Sequence, residues 1–215
     1  MAGRAASLTP YAATPREREP MDHANGQRLF GTGLAAAVLV AMLGIGTCSA
    51  AGMAKPPAVG EKARTFALKE LGGGTVRLAQ FTKVSPVVLV MLRGYPGYQC
   101  PICTIQFGDF LGKADEFKQA GATVLFVYPG PAEELSTRAA EFVKGKDYPD
   151  HFRILLDPDY TFTNRYGLRW KAEHETSYPS TFVINLKRKV TYARVSKTHG
   201  DRAKVEDVLR AVRQQ

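Results

Sequence analysis

Cys100 and Cys103, separated by Pro101 and Ile102, are the residues of this 215-residue chain whose type and spacing can do chemistry. Such a pair can be half of a metal site, a haem attachment, a structural accident or a redox couple. Haem attachment needs His directly after the second cysteine, and Thr104 stands there. A closed zinc site needs about four ligands. Beyond Cys103 the chain offers no further cysteine and only the scattered His151, His174 and His199. No cofactor and no resident metal is therefore expected, and a transient copper site remains as the alternative.

The redox reading has geometry behind it. Pro101 suits the first position of a helix, where its missing N–H costs nothing, and it biases Cys100 toward the extended conformation of an N-cap. A cysteine at the positive end of a helix has its pKa lowered from about 8.5 into a range of roughly 3.5 to 7.5, because unpaired backbone N–H groups favour the thiolate. Residues three apart on a helical turn have Cα atoms about 5 to 6 Å apart, within reach of a disulfide. Cys103 shares a helical face with Phe107, Phe110, Ala114 and Phe117. The expectation is an exposed Cys100 that attacks and a shielded Cys103 that resolves the mixed disulfide.

The elements that must hold this pair are legible on either side of it. Residues 66–78 alternate apolar and polar around Gly72-Gly73-Gly74, which reads as a β-hairpin. Residues 86–92 form a continuous β-branched apolar run, the mark of a strand buried on both faces, and the cysteines follow it. One helix is predicted over 101–119, a buried strand over 122–128, a helix over 132–143 and a strand over 152–156. A short helix near 162–166, strands over 181–185 and 190–194, and a last helix over 202–212 complete the alternation. The fold class is α/β, with functional groups at strand-to-helix loops.

With these elements in place, residues of about 57–212 resemble the redoxin part of the thioredoxin superfamily, the alkyl hydroperoxide reductase and thiol-specific antioxidant family with its peroxiredoxin-like relatives. The matching pieces are Val59-Gly60 with Phe66-Ala-Leu68, the strand into Cys100-Pro-Ile-Cys103, Leu156-Asp-Pro-Asp159 before Tyr166-Gly167, and Tyr178-Pro-Ser-Thr-Phe-Val-Ile184. The resemblance implies a thioredoxin-like fold with a central mixed sheet flanked by helices. It points to two activities. In the peroxiredoxin pattern Pro-x-x-x-Thr-x-x-Cys, Pro96 and Cys103 take the outer places and Cys100 replaces the threonine. In the thioredoxin pattern Cys-x-x-Cys faces a cis-proline, for which Pro179 is the match, leaving the backbone of Ser177 or Tyr178 free for a substrate. The arginine that activates peroxide falls near Pro179 in peroxiredoxins and is absent here. Arg93 is the nearest candidate for that charge, or else faces solvent, and Tyr95, Tyr98 and Gln99 line the approach to Cys100 or fill the loop.

Residues 1–54 read as a leader and 55–215 as the redoxin domain. No charged residue occurs from Leu29 to Ala54, and the apolar run at 34–45 follows Arg28 and precedes small residues, the order of a secretory signal. Met21 is an alternative start. Residues 29–51 are also long enough to stay as a membrane anchor, and Cys48 fits a lipidation site poorly because Thr47 precedes it. Either way the domain is expected outside the cytoplasm, periplasmic or anchored facing outward. The net charge of +9 is a mild basic bias without base-reading groups, so no nucleic-acid partner is expected and the basic hairpin at 187–197 is a solvated face. The expected protein is an exported thiol redox enzyme cycling between dithiol and Cys100–Cys103 disulfide. It would act on peroxides or protein disulfides, with a thiol protein as reductant. The competing class is a copper or haem-maturation binding protein on the same scaffold.

Overall fold

The computed structural model describes residues 54–215. A hairpin of β1 (Ala67–Glu70) and β2 (Thr75–Arg77) leads into a single turn, α1 (Leu78–Phe81), and then into β3 (Val87–Met91). After the cysteine loop come α2 (Pro101–Leu111), α3 (Ala114–Gln119), β4 (Thr123–Gly130), α4 (Leu135–Val143), β5 (Phe152–Pro158) and α5 (Thr161–Arg165). The strands β6 (Ser180–Ile184) and β7 (Val190–Val195) and the helix α6 (Val205–Arg213) close the chain. All seven strands join one sheet in the order β2-β1-β5-β4-β3-β6-β7. Its middle is parallel, β3 with β4 and β4 with β5, and its flanks are antiparallel.

The period of two in β3 explains how one strand serves two cores. Val88 and Val90 face a cluster built with Phe107, Phe110, Phe117, Phe142 and the apolar stripe of α6, and both cysteines belong to it. Val87, Leu89 and Met91 face the opposite cluster with Leu78, Phe162 and Tyr166. Every residue of β3 is buried, as a continuous apolar run demands. Each large side chain buried in these layers contributes about 1.5–3 kcal/mol, so α2 is anchored by its aromatic stripe at the level of the sheet.

Three expectations need correction at the level of elements. The predicted helix over 101–119 is two helices, because the chain turns at Gly112 and Lys113: the Gly112 N–H reaches back to Gly108 and Phe110 carbonyls, and Lys113 leaves helical geometry. The apolar stripe continues across the break, and so periodicity alone did not show it. The helix α4 starts at Leu135, three residues later than expected, and α6 starts at Val205 and not at Arg202. That last shift matters for the chemistry. The leader and the run at 34–45 lie outside the described residues; among the described residues no helix is long and apolar enough to cross a membrane.

Candidate active site

Cys100 is the N-cap of α2, with extended geometry (φ −69°, ψ 111°) and Pro101 at the first helical position. Its sulfur accepts the backbone N–H of Cys103 at 3.4 Å, filling the capping role that Ser or Asp usually has. The Cys103 sulfur accepts the backbone N–H of Arg93 at 3.3 Å, from the chain leaving β3. Both cysteines are free thiols in this structure. The N-cap geometry expected from Pro101 is therefore present.

The expected difference in exposure is not. Cys100 is 2% exposed and Cys103 1% exposed, since both belong to the core cluster between the sheet, α2 and α6. What separates the two sulfurs is electrostatics. The Cys103 thiol donates to the Cys100 sulfur and, with the Cys103 N–H and the charges of Arg202 and Arg93, pulls the Cys100 pKa down to about 5 against the opposing effect of burial. Burial first, and then the hydrogen bond to Cys100, push the Cys103 thiol well above its ordinary value. One proton shared by two sulfurs leaves the charge on Cys100.

A cation stands over this pair. One guanidinium nitrogen of Arg202, Nη2, lies 3.8 Å from the Cys100 sulfur and 3.5 Å from the Cys103 sulfur. Arg202 Nη1 donates to Gln106 Oε1 at 2.6 Å and Nε to the His199 carbonyl at 2.8 Å, so the group is fixed from the α2 side and from its own loop. The sequence reading missed Arg202 by assigning it to the first turn of α6. The acidic pair Glu206 and Asp207, which marks the true first turn, was the available signal.

Arg93 points elsewhere. It is 3% exposed, so it does not face solvent, and its guanidinium donates to Glu175 Oε2 at 2.8 Å, Tyr98 Oη at 2.7 Å and the His174 carbonyl at 2.8 Å. Glu175 also pairs with His199 at 2.7 Å. Paired in this way, Arg93 touches the sulfurs through its backbone N–H, and its charge pulls on Cys100 less than that of Arg202 does. Tyr98 is half exposed beside it. Gln99 is held by the Arg138 carbonyl at 2.8 Å and by the Tyr128 hydroxyl at 2.9 Å, and Tyr95 stacks under Arg138. Pro96 and Tyr95 line a cleft of about 320 Å³ with Leu135, Arg138 and Tyr160, which neither cysteine lines.

Pro179 differs most from expectation. Among the described residues no peptide bond is cis, so the bond before Pro179 is trans. The Tyr178 N–H is already used by the Leu168 carbonyl at 2.8 Å, which removes it as a free edge for a substrate. The segment before Pro179 is instead fastened to the end of β3, where the Ser177 hydroxyl donates to the Leu92 carbonyl at 2.7 Å and the Thr176 hydroxyl to the Arg93 carbonyl. Asp157 of the Leu156–Asp159 match is fully buried and accepts from Phe162 N–H, Thr163 N–H and the Thr163 hydroxyl, which makes it the anchor of α5. Among the described residues no three His, Cys, Asp or Glu side chains gather as a metal site.

The pattern of the AhpC/TSA family matches residues 59–193, well over half of the chain. The chain belongs to the AhpC/TSA family. It is an oxidoreductase of the peroxiredoxin-like type on a thioredoxin fold. Similar to it is the Mycobacterium tuberculosis (strain H37Rv) protein Rv2521, designated a peroxiredoxin, at 29% identity over 140 residues, 62% of this chain and 82% of that one. Among solved structures, peroxidoxin BcpB from Mycobacterium tuberculosis superposes with a TM-score of 0.59 at 23% identity, over 74% of this chain and 97% of its own. A Chlorobium tepidum protein designated thiol:disulfide interchange protein DsbE gives 0.54 at 23% identity, over 73% and 99%. At such identities the two structures speak for the fold. In this chain a guanidinium reaches the sulfurs from Arg202, on the approach to α6.

Proposed function

We propose that this protein is a thiol–disulfide oxidoreductase in which Cys100 attacks, Cys103 resolves, and the cycle runs between dithiol and Cys100–Cys103 disulfide. The observation that carries the reading is the placement of two neighbouring sulfurs at one helix start, the first capping it and accepting the N–H of the second, and the opposed directions of their pKa shifts agree with it. A thiolate at Cys100 attacks a disulfide, the released thiolate leaves, and Cys103 displaces the second half to close the ring. A dithiol protein then restores the reduced state. A copper-binding role is disfavoured by the fixed guanidinium 3.5–3.8 Å from both candidate ligands, which repels a cation.

A second reading, reduction of hydroperoxides, has a specific observation in its favour. Both sulfurs are nearly sealed, which suits a small oxidant, and Arg202 replaces a charge that the family pattern places elsewhere. Against it stands the loss of the threonine donor, since an efficient peroxidase surrounds both peroxide oxygens with donors and each one lost costs about 10²-fold or more. Stopped-flow oxidation of the reduced protein decides between them. Exchange with a small disulfide faster than reaction with hydrogen peroxide is expected, and a peroxide rate above about 10⁵ M⁻¹s⁻¹ would place the protein with efficient peroxidases.

The enzyme is proposed to work outside the cytoplasm, on the strength of the uncharged stretch from Leu29 to Ala54 and the small residues that end its apolar run. A reporter fused after residue 55 is expected to cross the membrane. A reporter found wholly in the cytoplasm removes this assignment.

A further inference from the structure

Two arginines reach the cysteine pair, and they are in opposite electrostatic condition. Arg93 is paired with Glu175 at 2.8 Å, and the carboxylate cancels its charge locally. Arg202 has no such partner: among the described residues no carboxylate lies within ion-pair distance of it, and its contacts are the amide oxygen of Gln106, the carbonyl of His199 and the two sulfurs. Apart from the two sulfurs, the groups that accept its hydrogen bonds are uncharged amide and backbone oxygens. A guanidinium never titrates in the working range, so it acts as a fixed positive charge with a rigid fork of donors.

The position of Nη2 between the sulfurs has a chemical consequence, because the negative charge does not stay on one of them. In the first step the Cys100 thiolate attacks one sulfur of a disulfide RS–SR′; the Cys100–SR bond forms, the S–S bond of the substrate breaks, and R′S⁻ leaves with the electron pair. Cys100 is then neutral. In the second step the Cys103 thiol gives its proton to the R′S⁻ released in the first step or to water, its sulfur attacks Cys100, the Cys100–SR bond breaks and RS⁻ leaves with the electron pair. Cys103 is buried, and burial resists the anion that this step needs. The charge of Arg202, whose Nη2 lies 3.5 Å from the Cys103 sulfur in the reduced structure, is then no longer engaged by Cys100.

We infer that Arg202 is a catalytic residue of both half-reactions, stabilising the Cys100 thiolate in the first and the Cys103 thiolate in the second without having to move. The inference rests on the cysteine roles proposed above. It also gives a reason for its anchoring: with Nη1 on Gln106 of α2 and Nε on the His199 carbonyl, the group stays in place when its first anion disappears. Lysine could carry the charge but could not hold two anchors and two sulfurs together.

The test uses the full-length reduced protein in a Cys48→Ser background, where Cys100 and Cys103 are the two thiols, and the aromatic disulfide dithiobis(nitrobenzoate), whose halves leave as coloured thiolates, so one stopped-flow trace reports attack and resolution as successive phases. Arg202→Met is expected to slow both phases by about tenfold or more, equivalent to about 1.4 kcal/mol each. Arg202→Lys is expected to recover part of the first phase and less of the second. Arg202 is half-buried at the surface end of its loop, so both variants should fold. A phase that stays within twofold of the parent in Arg202→Met overturns the inference. Cys103→Ser serves as the control for the reading beneath it: it should keep the first phase and lose the second, and if it keeps both, the cysteine roles fail and the inference falls with them.

Discussion

At the scale of single residues, the contrast between the two sulfurs comes from who donates to whom. The Cys100 sulfur accepts the Cys103 N–H and has its pKa drawn down, whereas burial and the interaction with Cys100 push the Cys103 thiol up. This has a consequence for stability. With a folded pKa of about 5 against about 8.5 in the unfolded chain, Cys100 binds fewer protons when folded throughout that window. Stability from this group is therefore complete above about pH 8.5 and is lost as pH falls through about 5. The raised pKa of Cys103 acts only above that window and with the opposite sign. Urea unfolding of the reduced protein is expected to show wild type gaining stability over Cys100→Ser as pH rises from about 5 to 8.5; parallel curves would show that the charge is not held on Cys100. The part of this site visible in the sequence was local, since Pro101 next to Cys100 fixes the cap whatever else the chain does. Arg202 is 102 positions away and reaches the sulfur only through the tertiary fold. No spacing rule reports such a contact.

At the scale of elements, the loop between β3 and α2 brings the Arg93 N–H to the Cys103 sulfur. It leaves the strand at Arg93 and bends at Gly94, whose φ of +72° lies in the left-handed region. A Cβ at Gly94 would stand 2.0 Å from the Pro129 carbonyl oxygen at the end of β4, so the loop is pressed against the neighbouring strand at a point that only glycine permits. Gly94→Ala is expected to cost about 2–4 kcal/mol in chemical denaturation, from backbone strain and overpacking together. It should also raise the reactivity of Cys103 toward a bulky alkylating agent, because the loop carrying the Arg93 N–H must lift. Unchanged stability would show that the loop yields at little cost. Here too the sequence was informative up to a limit. The hairpin around Gly72-Gly73-Gly74 and the all-apolar β3 followed from pattern. The break at Gly112 and the late start of α6 did not, because the apolar stripe runs through the first and the second depends on where the chain must cross to Gln106.

At the scale of the whole molecule, the sheet order places β3 between β4 and β6, so the cysteine loop emerges among elements that can supply groups from several directions: Arg93 from β3, Gln106 from α2, Glu175 from the segment before β6 and Arg202 from the approach to α6. Fold and family were readable from the strand and helix alternation and from the motifs around it. The trans bond at Pro179 was not, since the match to a family position carries no information about the peptide that precedes it in this chain. The whole arrangement makes one claim about order of events, that Cys100 meets the substrate and Cys103 finishes the exchange. Peptide-level mass spectrometry of the site peptide, after mixing each variant that lacks one of the two site cysteines with a small disulfide, tests it most directly. Cys103→Ser is predicted to accumulate a mixed disulfide on Cys100, and Cys100→Ser to remain largely unmodified; an adduct on Cys103 in Cys100→Ser, with none on Cys100 in Cys103→Ser, would contradict the account.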